Sequence, residues 1–97
     1  MPQNDQDRRR ANRVTFKVPA PLSIGSSSSD LIRDSSTIDI SELGVRLLLR
    51  GQIVPGQIVD VFLNNHPEQC RVVWTSPTSS KDYLIAGLEF TRPLSDP

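Results

Sequence analysis

Apolar and polar residues alternate along most of this chain, and the alternation has a period of two. Val14, Phe16 and Val18 are separated by Thr15 and Lys17, which predicts a half-buried strand. Pro19 and Pro21 loosen that strand, and Leu22 and Ile24 continue it past an irregular point or along a sheet edge. Gly25–Ser29 reads as a flexible loop, which Asp30–Ser36, polar apart from Leu31 and Ile32, extends. Thr37, Ile38 and Ile40 form a short strand that enters Asp39-Ile40-Ser41-Glu42-Leu43-Gly44. Val45, Leu47 and Leu49 alternate with Arg46 and Arg50 in the next strand, and Pro55-Gly56 marks a turn. Ile58 to Leu63 is a strand stopped by Asn64-Asn65 and Pro67. Cys70, Val72 and Trp74 share one face of another strand, and Ser76 to Asp82 is a polar loop. Tyr83 to Phe90 is the last strand, with Leu84, Ala86, Leu88 and Phe90 on one face.

No segment has a helical period. Short strands at regular spacing, with turn signals between them, predict an all-β barrel or sandwich. The opposite strand faces carry Leu48, Ile58, Phe62, Val73 and Ile85. These are either covered by the closed barrel and its loops or form an apolar patch for a partner. Residues 1–7 hold no core residue and read as a disordered tail, and 93–97 as a C-terminal tail. The folding domain is expected over residues 8–92.

Length then bounds the picture: 97 residues hold one core. Eleven basic and eleven acidic residues cancel, which argues against a general nucleic-acid coat. The basic charge is local, because Arg8, Arg9, Arg10 and Arg13 crowd into six positions, a pattern suited to a small anion. Cys70 is the single cysteine, so no internal disulfide forms. No apolar run is long enough to span a bilayer and no signal-peptide core follows Met1, so a cytoplasmic location is expected. His66 and Cys70 have no third ligand, and one histidine near a turn makes no catalytic triad. Neither an enzyme nor a metal or cofactor site is expected. Trp74 reads as core, with a base-stacking platform as the alternative.

The chemistry gathers in two segments. If the first two strands pair across the serine loop, the second returns the chain to the end where the first began. Arg9 and Arg13 would then share a rim with Asp39 and Ser41. Arginine forks onto phosphate oxygens or the O6/N7 edge of guanine. Asp39 can accept from guanine N1 and N2 hydrogens, and Ser41 adds a hydroxyl. Gly44 permits a positive φ or close approach of backbone to ligand. The plainer readings are a solvated arginine run and an Asp or Ser turn closed on its own backbone.

Arg9-Arg10-Ala11-Asn12-Arg13 resembles the Arg-x-x-x-Arg motif of PilZ domains, and Asp39–Gly44 resembles their Asp/Asn-x-Ser-x-x-Gly motif. Val72-Val73-Trp74 and Gly87-Leu88-Glu89-Phe90 look like the family's late-strand patterns, so the resemblance runs from about Arg8 to Phe90. It implies a six-stranded antiparallel barrel with a flexible arginine arm that binds cyclic di-GMP without catalysis. Arg9 and Arg13 would grip phosphate and guanine, and Asp39 and Ser41 a guanine edge. Arg8, just before the motif, favours two mutually intercalated ligand molecules. The family's frequent C-terminal helix has no counterpart in Thr91 to Pro97. The protein then acts as an adaptor on a protein partner in a motility, pilus or exopolysaccharide system. The alternatives are a degenerate barrel that contacts only protein and a small nucleic-acid-binding barrel.

Overall fold

The computed structural model describes residues 14–15, 17–25 and 31–92. Arg8, Arg9, Arg10, Arg13, Phe16, most of the serine loop and both expected tails lie outside the described residues. The elements are β1 (Val14–Thr15), β2 (Leu22–Ile24), β3 (Leu31–Ile32), β4 (Ser35–Ile40), β5 (Gly44–Arg50), β6 (Ile58–Leu63), β7 (His66–Pro77) and β8 (Tyr83–Phe90). They form one antiparallel sheet in the order β1-β4-β5-β8-β7-β6-β2-β3. Among the described residues there is no helix.

The eight segments reduce to the expected barrel once the prolines are followed. β1 lies beside β4, with Val14 opposite Ile40 and Thr15 opposite Asp39. The chain stays on β4 through Val18 and Ala20, whose backbones bond Thr37 and Ser35 at 2.9 and 2.8 Å. It then crosses to β6, where Pro21 O accepts from Phe62 N–H at 2.8 Å and Leu22 faces Val61. One irregular strand therefore touches both flanks of the sheet and curls it into a barrel-like shape. Proline suits such a crossing because it has no N–H to place in a ladder.

The inward positions follow the alternation. Val45, Leu47 and Leu49 of β5 face Leu88, Ala86 and Leu84 of β8 across the ladder. Ala20, Leu22, Ile53, Val59, Val61, Cys70 and Val72 complete the buried core. Each aliphatic side chain buried there contributes about 1.5–3 kcal/mol relative to exposure. Asn64 and Asn65 have positive φ (54 and 66°), which fits the two-residue hairpin between β6 and β7. Pro67 sits inside β7 rather than ending the strand.

Three local expectations change. The run Asp30–Ser36 is not all loop: β3 and the start of β4 lie in it. The start of β4 is hidden because small hydroxyl residues point inward there. Ser35 and Thr37 are buried, and Thr37 Oγ1 accepts from Val18 N–H at 3.1 Å. The second change is at Trp74. β7 carries an irregularity between Val72 and Trp74, so Val72 faces Leu88 while Trp74 faces Gly87. The extra residue puts Trp74 on the outside, 40% exposed, rather than in the core. The third concerns the outer apolar residues. Ile58 and Val73 are 47% and 49% exposed, while Leu48, Phe62 and Ile85 are half-buried.

Cys70 gives a check on core integrity. Burial, helped by Glu68 and Asp60, pushes its thiol pKa up to about 12. The folded protein should therefore resist iodoacetamide at pH 8 and react once urea unfolds it. Fast labelling of the native protein would show that the barrel opens at β7.

Candidate functional site

The loop between β4 and β5 is tied down by its own backbone. Ser41 N–H donates to Gly44 O at 2.9 Å, and Ser41 Oγ accepts from Leu43 N–H at 3.1 Å and Gly44 N–H at 3.3 Å. Leu43 O in turn accepts from Phe90 N–H at 2.9 Å. Ser41 thus closes the turn that the sequence offered as its plainer role. Gly44 does not have a positive φ. Its need for glycine comes from β8: a Cβ there would lie 2.1 Å from Leu88 O and 3.0 Å from Glu89 Cα. The close approach is of strand to strand.

A second register irregularity, between Thr37 and Asp39, turns Asp39 away from the inward face of Thr37 and sets it opposite Arg46. The Asp39 carboxylate is forked by Arg46. Nε donates to Oδ1 at 3.0 Å and to Oδ2 at 3.1 Å, and Nη2 donates to Oδ2. The Asp39 side chain is 3% exposed and that of Arg46 44%. The hydrogen bond to Asp39 holds the Arg46 pKa above its ordinary value against the opposing pull of desolvation, so Arg46 stays charged.

Arg46 was not among the residues expected at the site. A signal was present. With a four-residue connection over 41–44, antiparallel pairing puts 40 opposite 45 and 39 opposite 46, so opposite charges meet across the hairpin.

The ladder extends this row. Arg46 faces Gly87 on β8, and Gly87 faces Trp74 on β7. The Trp74 indole lies over Gly87: a Cβ at Gly87 would stand 2.3 Å from both Cε2 and Nε1 of the ring. One row on the outer face therefore reads Asp39, Arg46, Gly87, Trp74, across β4, β5, β8 and β7. It sets an ion pair beside an aromatic plane, the two surfaces that polar edges and flat rings of a base use. The described chain begins at Val14, opposite Ile40, one position from Asp39. Asp39, Ser41 and Gly44 are thus together at the β4–β5 end, while Arg8, Arg9 and Arg13 lie outside the described residues.

Replacing Gly87 with alanine should lift the indole off its seat. The clash is with a side chain that can move, so stability should change by less than about 1 kcal/mol. The emission of this single tryptophan should shift to longer wavelength. Unchanged emission would show that the ring is not held on Gly87.

Among the described residues no three His, Cys, Asp or Glu side chains group to hold a metal, and no helix is long and apolar enough to cross a membrane. The family model for the PilZ domain matches residues 7–97, nearly the whole chain. No curated protein matches it.

Proposed function

We propose, from the premise that this chain belongs to the PilZ domain family, that it is a non-enzymatic receptor for cyclic di-GMP that signals as an adaptor. PilZ domains bind this dinucleotide, and the observation that carries the reading is a family match spanning both motif segments. Arg9 and Arg13 hold phosphate and guanine, Asp39, Ser41 and Gly44 form the opposing turn, and Arg8 favours two stacked ligand molecules. The ligand orders the arm against the rim and so changes the surface offered to a partner protein in a motility, pilus or exopolysaccharide system. The expected setting is the bacterial cytoplasm, with no resident cofactor.

The β1–β4 register supports this reading, because it brings the chain that follows the arginines alongside Asp39. The outer row adds Trp74 as a surface on which a base can stack.

Calorimetric titration with cyclic di-GMP tests the proposal. Saturable binding at micromolar ligand is expected, and a flat titration would overturn it. Exposed Ile58 and Val73 favour a second reading, a degenerate barrel that works only through protein contacts. That reading predicts the flat titration. A nucleic-acid-binding barrel would instead retain RNA or DNA in a salt-sensitive way.

A further inference from the structure

The outer face carries a second row of side chains, one step nearer the β4–β5 turn. It runs from Gly44 on β5 through Glu89 on β8 to Arg71 on β7 and Ile58 on β6. Arg71 Nη2 donates to Glu89 Oε2, and both side chains stay open to solvent, at 55% and 44%. Among the described residues, Nε and Nη1 of Arg71 and Oε1 of Glu89 make no hydrogen bond. Glu89 faces Gly44 across the ladder and follows Gly87 by two on its own strand, so neither neighbour has a side chain to cover it. Gly87 and Glu89 face Trp74 and Arg71, which sets the indole beside the ion pair. An exposed pair of this kind adds little to stability, so it is poorly explained as a strut.

We infer that Arg71 and Glu89, with Trp74 as their stacking plane, form a second guanine half-site. The inference rests on the cyclic di-GMP reading. That ligand has two identical halves, so it needs the same chemistry twice. The β4 flank offers it once, at Asp39 and Ser41, and the β7 flank repeats a carboxylate and an arginine on the same face. The open edge of Arg71 donates to guanine O6 and N7, and the open Glu89 oxygen accepts from N1–H or N2–H. The base stacks on the indole. Adenine reverses this pattern, because it sets an amino donor against Arg71 and has no N1–H for Glu89.

The test is calorimetry with two probes, cyclic di-GMP and the hybrid cyclic GMP–AMP, in which one base is adenine. The hybrid can set its guanine at the β4 flank and leave adenine for the β7 flank. Wild type should prefer cyclic di-GMP by about tenfold or more. Arg71→Gln should weaken cyclic di-GMP by about tenfold and leave the hybrid within about twofold of wild type, so that the preference collapses. Equal weakening of both probes would give Arg71 a structural role, and the inference would fall. It would also fall if Arg71→Gln bound cyclic di-GMP as wild type does, although the cyclic di-GMP reading would stand. A wild type that binds neither probe would remove both.

Glu89→Gln guards against a folding artefact in the arginine variant. It keeps the size of the side chain on an exposed position, so its urea midpoint should match wild type. It loses the charged acceptor and the hold on Arg71, so part of the preference for cyclic di-GMP should go with it. A wild-type preference in this variant would overturn the half-site as a pair.

Discussion

Alanine at both Arg9 and Arg13 should abolish cyclic di-GMP binding at micromolar ligand while the barrel stays folded. Each good bidentate arginine contact contributes about 1–3 kcal/mol, so losing two costs about 2–6 kcal/mol, roughly thirtyfold at the least. The cost to the fold should be small for a reason visible in the core. The buried cluster runs from Ala20 through Leu22, Val45, Leu47 and Leu49 to Leu88, and is built from the strands that follow the arginines. Urea unfolding of the double variant should therefore match wild type within about 0.5 kcal/mol. Calorimetry and unfolding together separate the outcomes. Retained affinity would place the ligand away from the arm, and a collapse of stability would give the arginines a structural role.

The second large effect falls on stability. Gly44→Ala should destabilise the barrel by about 3 kcal/mol or more. The added methyl would sit against the Leu88 carbonyl and the Glu89 backbone, and backbone cannot rotate aside as a side chain does. To make room, β5 must move off β8 at the ladder that carries the Val45–Leu88 and Leu47–Ala86 core pairs. A domain of this size has about 5–15 kcal/mol of total stability, so the loss is a large fraction of it. Gly87→Ala is the control on the same strand, because it too would clash but only with a mobile indole. If urea unfolding of Gly44→Ala falls within about 1 kcal/mol of wild type, β5 and β8 are less tightly apposed than the structure has them.

Those glycines mark where the sequence could and could not be read. Strand direction and the inward sets Val45–Leu47–Leu49 and Ala86–Leu88 were legible, because burial on one face forces a two-residue period. The all-β class followed from that period and the loops between, while the pairing of the first strand with the Asp39 segment was a supposition that the β1–β4 register bears out. The faces of Asp39 and Trp74 were not legible. Each follows an extra residue in its strand, and an added residue leaves no mark in hydrophobicity. The strand at Ser35 was hidden for a different reason. Its inward positions are hydroxyl residues, and a backbone donor from the neighbouring segment satisfies Thr37 there. The spacing of Asp39, Ser41 and Gly44 singled out the β4–β5 turn, but Arg46 appears beside Asp39 only when residues are counted across the hairpin.

The two strand irregularities have a consequence of their own. One falls between Thr37 and Asp39, the other between Val72 and Trp74, so each adjoins one end of the Asp39–Arg46–Gly87–Trp74 row. Deleting Ile38 or Val73 would leave Asp39 opposite Arg46 and Trp74 opposite Gly87, since the pairing on either side already brackets the extra residue. What would change is the local twist of the strand, and with it the distance between the two ends of the row. The reach of this surface is thus set by codon count as well as by codon identity. In-frame insertions and deletions give an evolving lineage a way to retune it while every side chain of the row is kept.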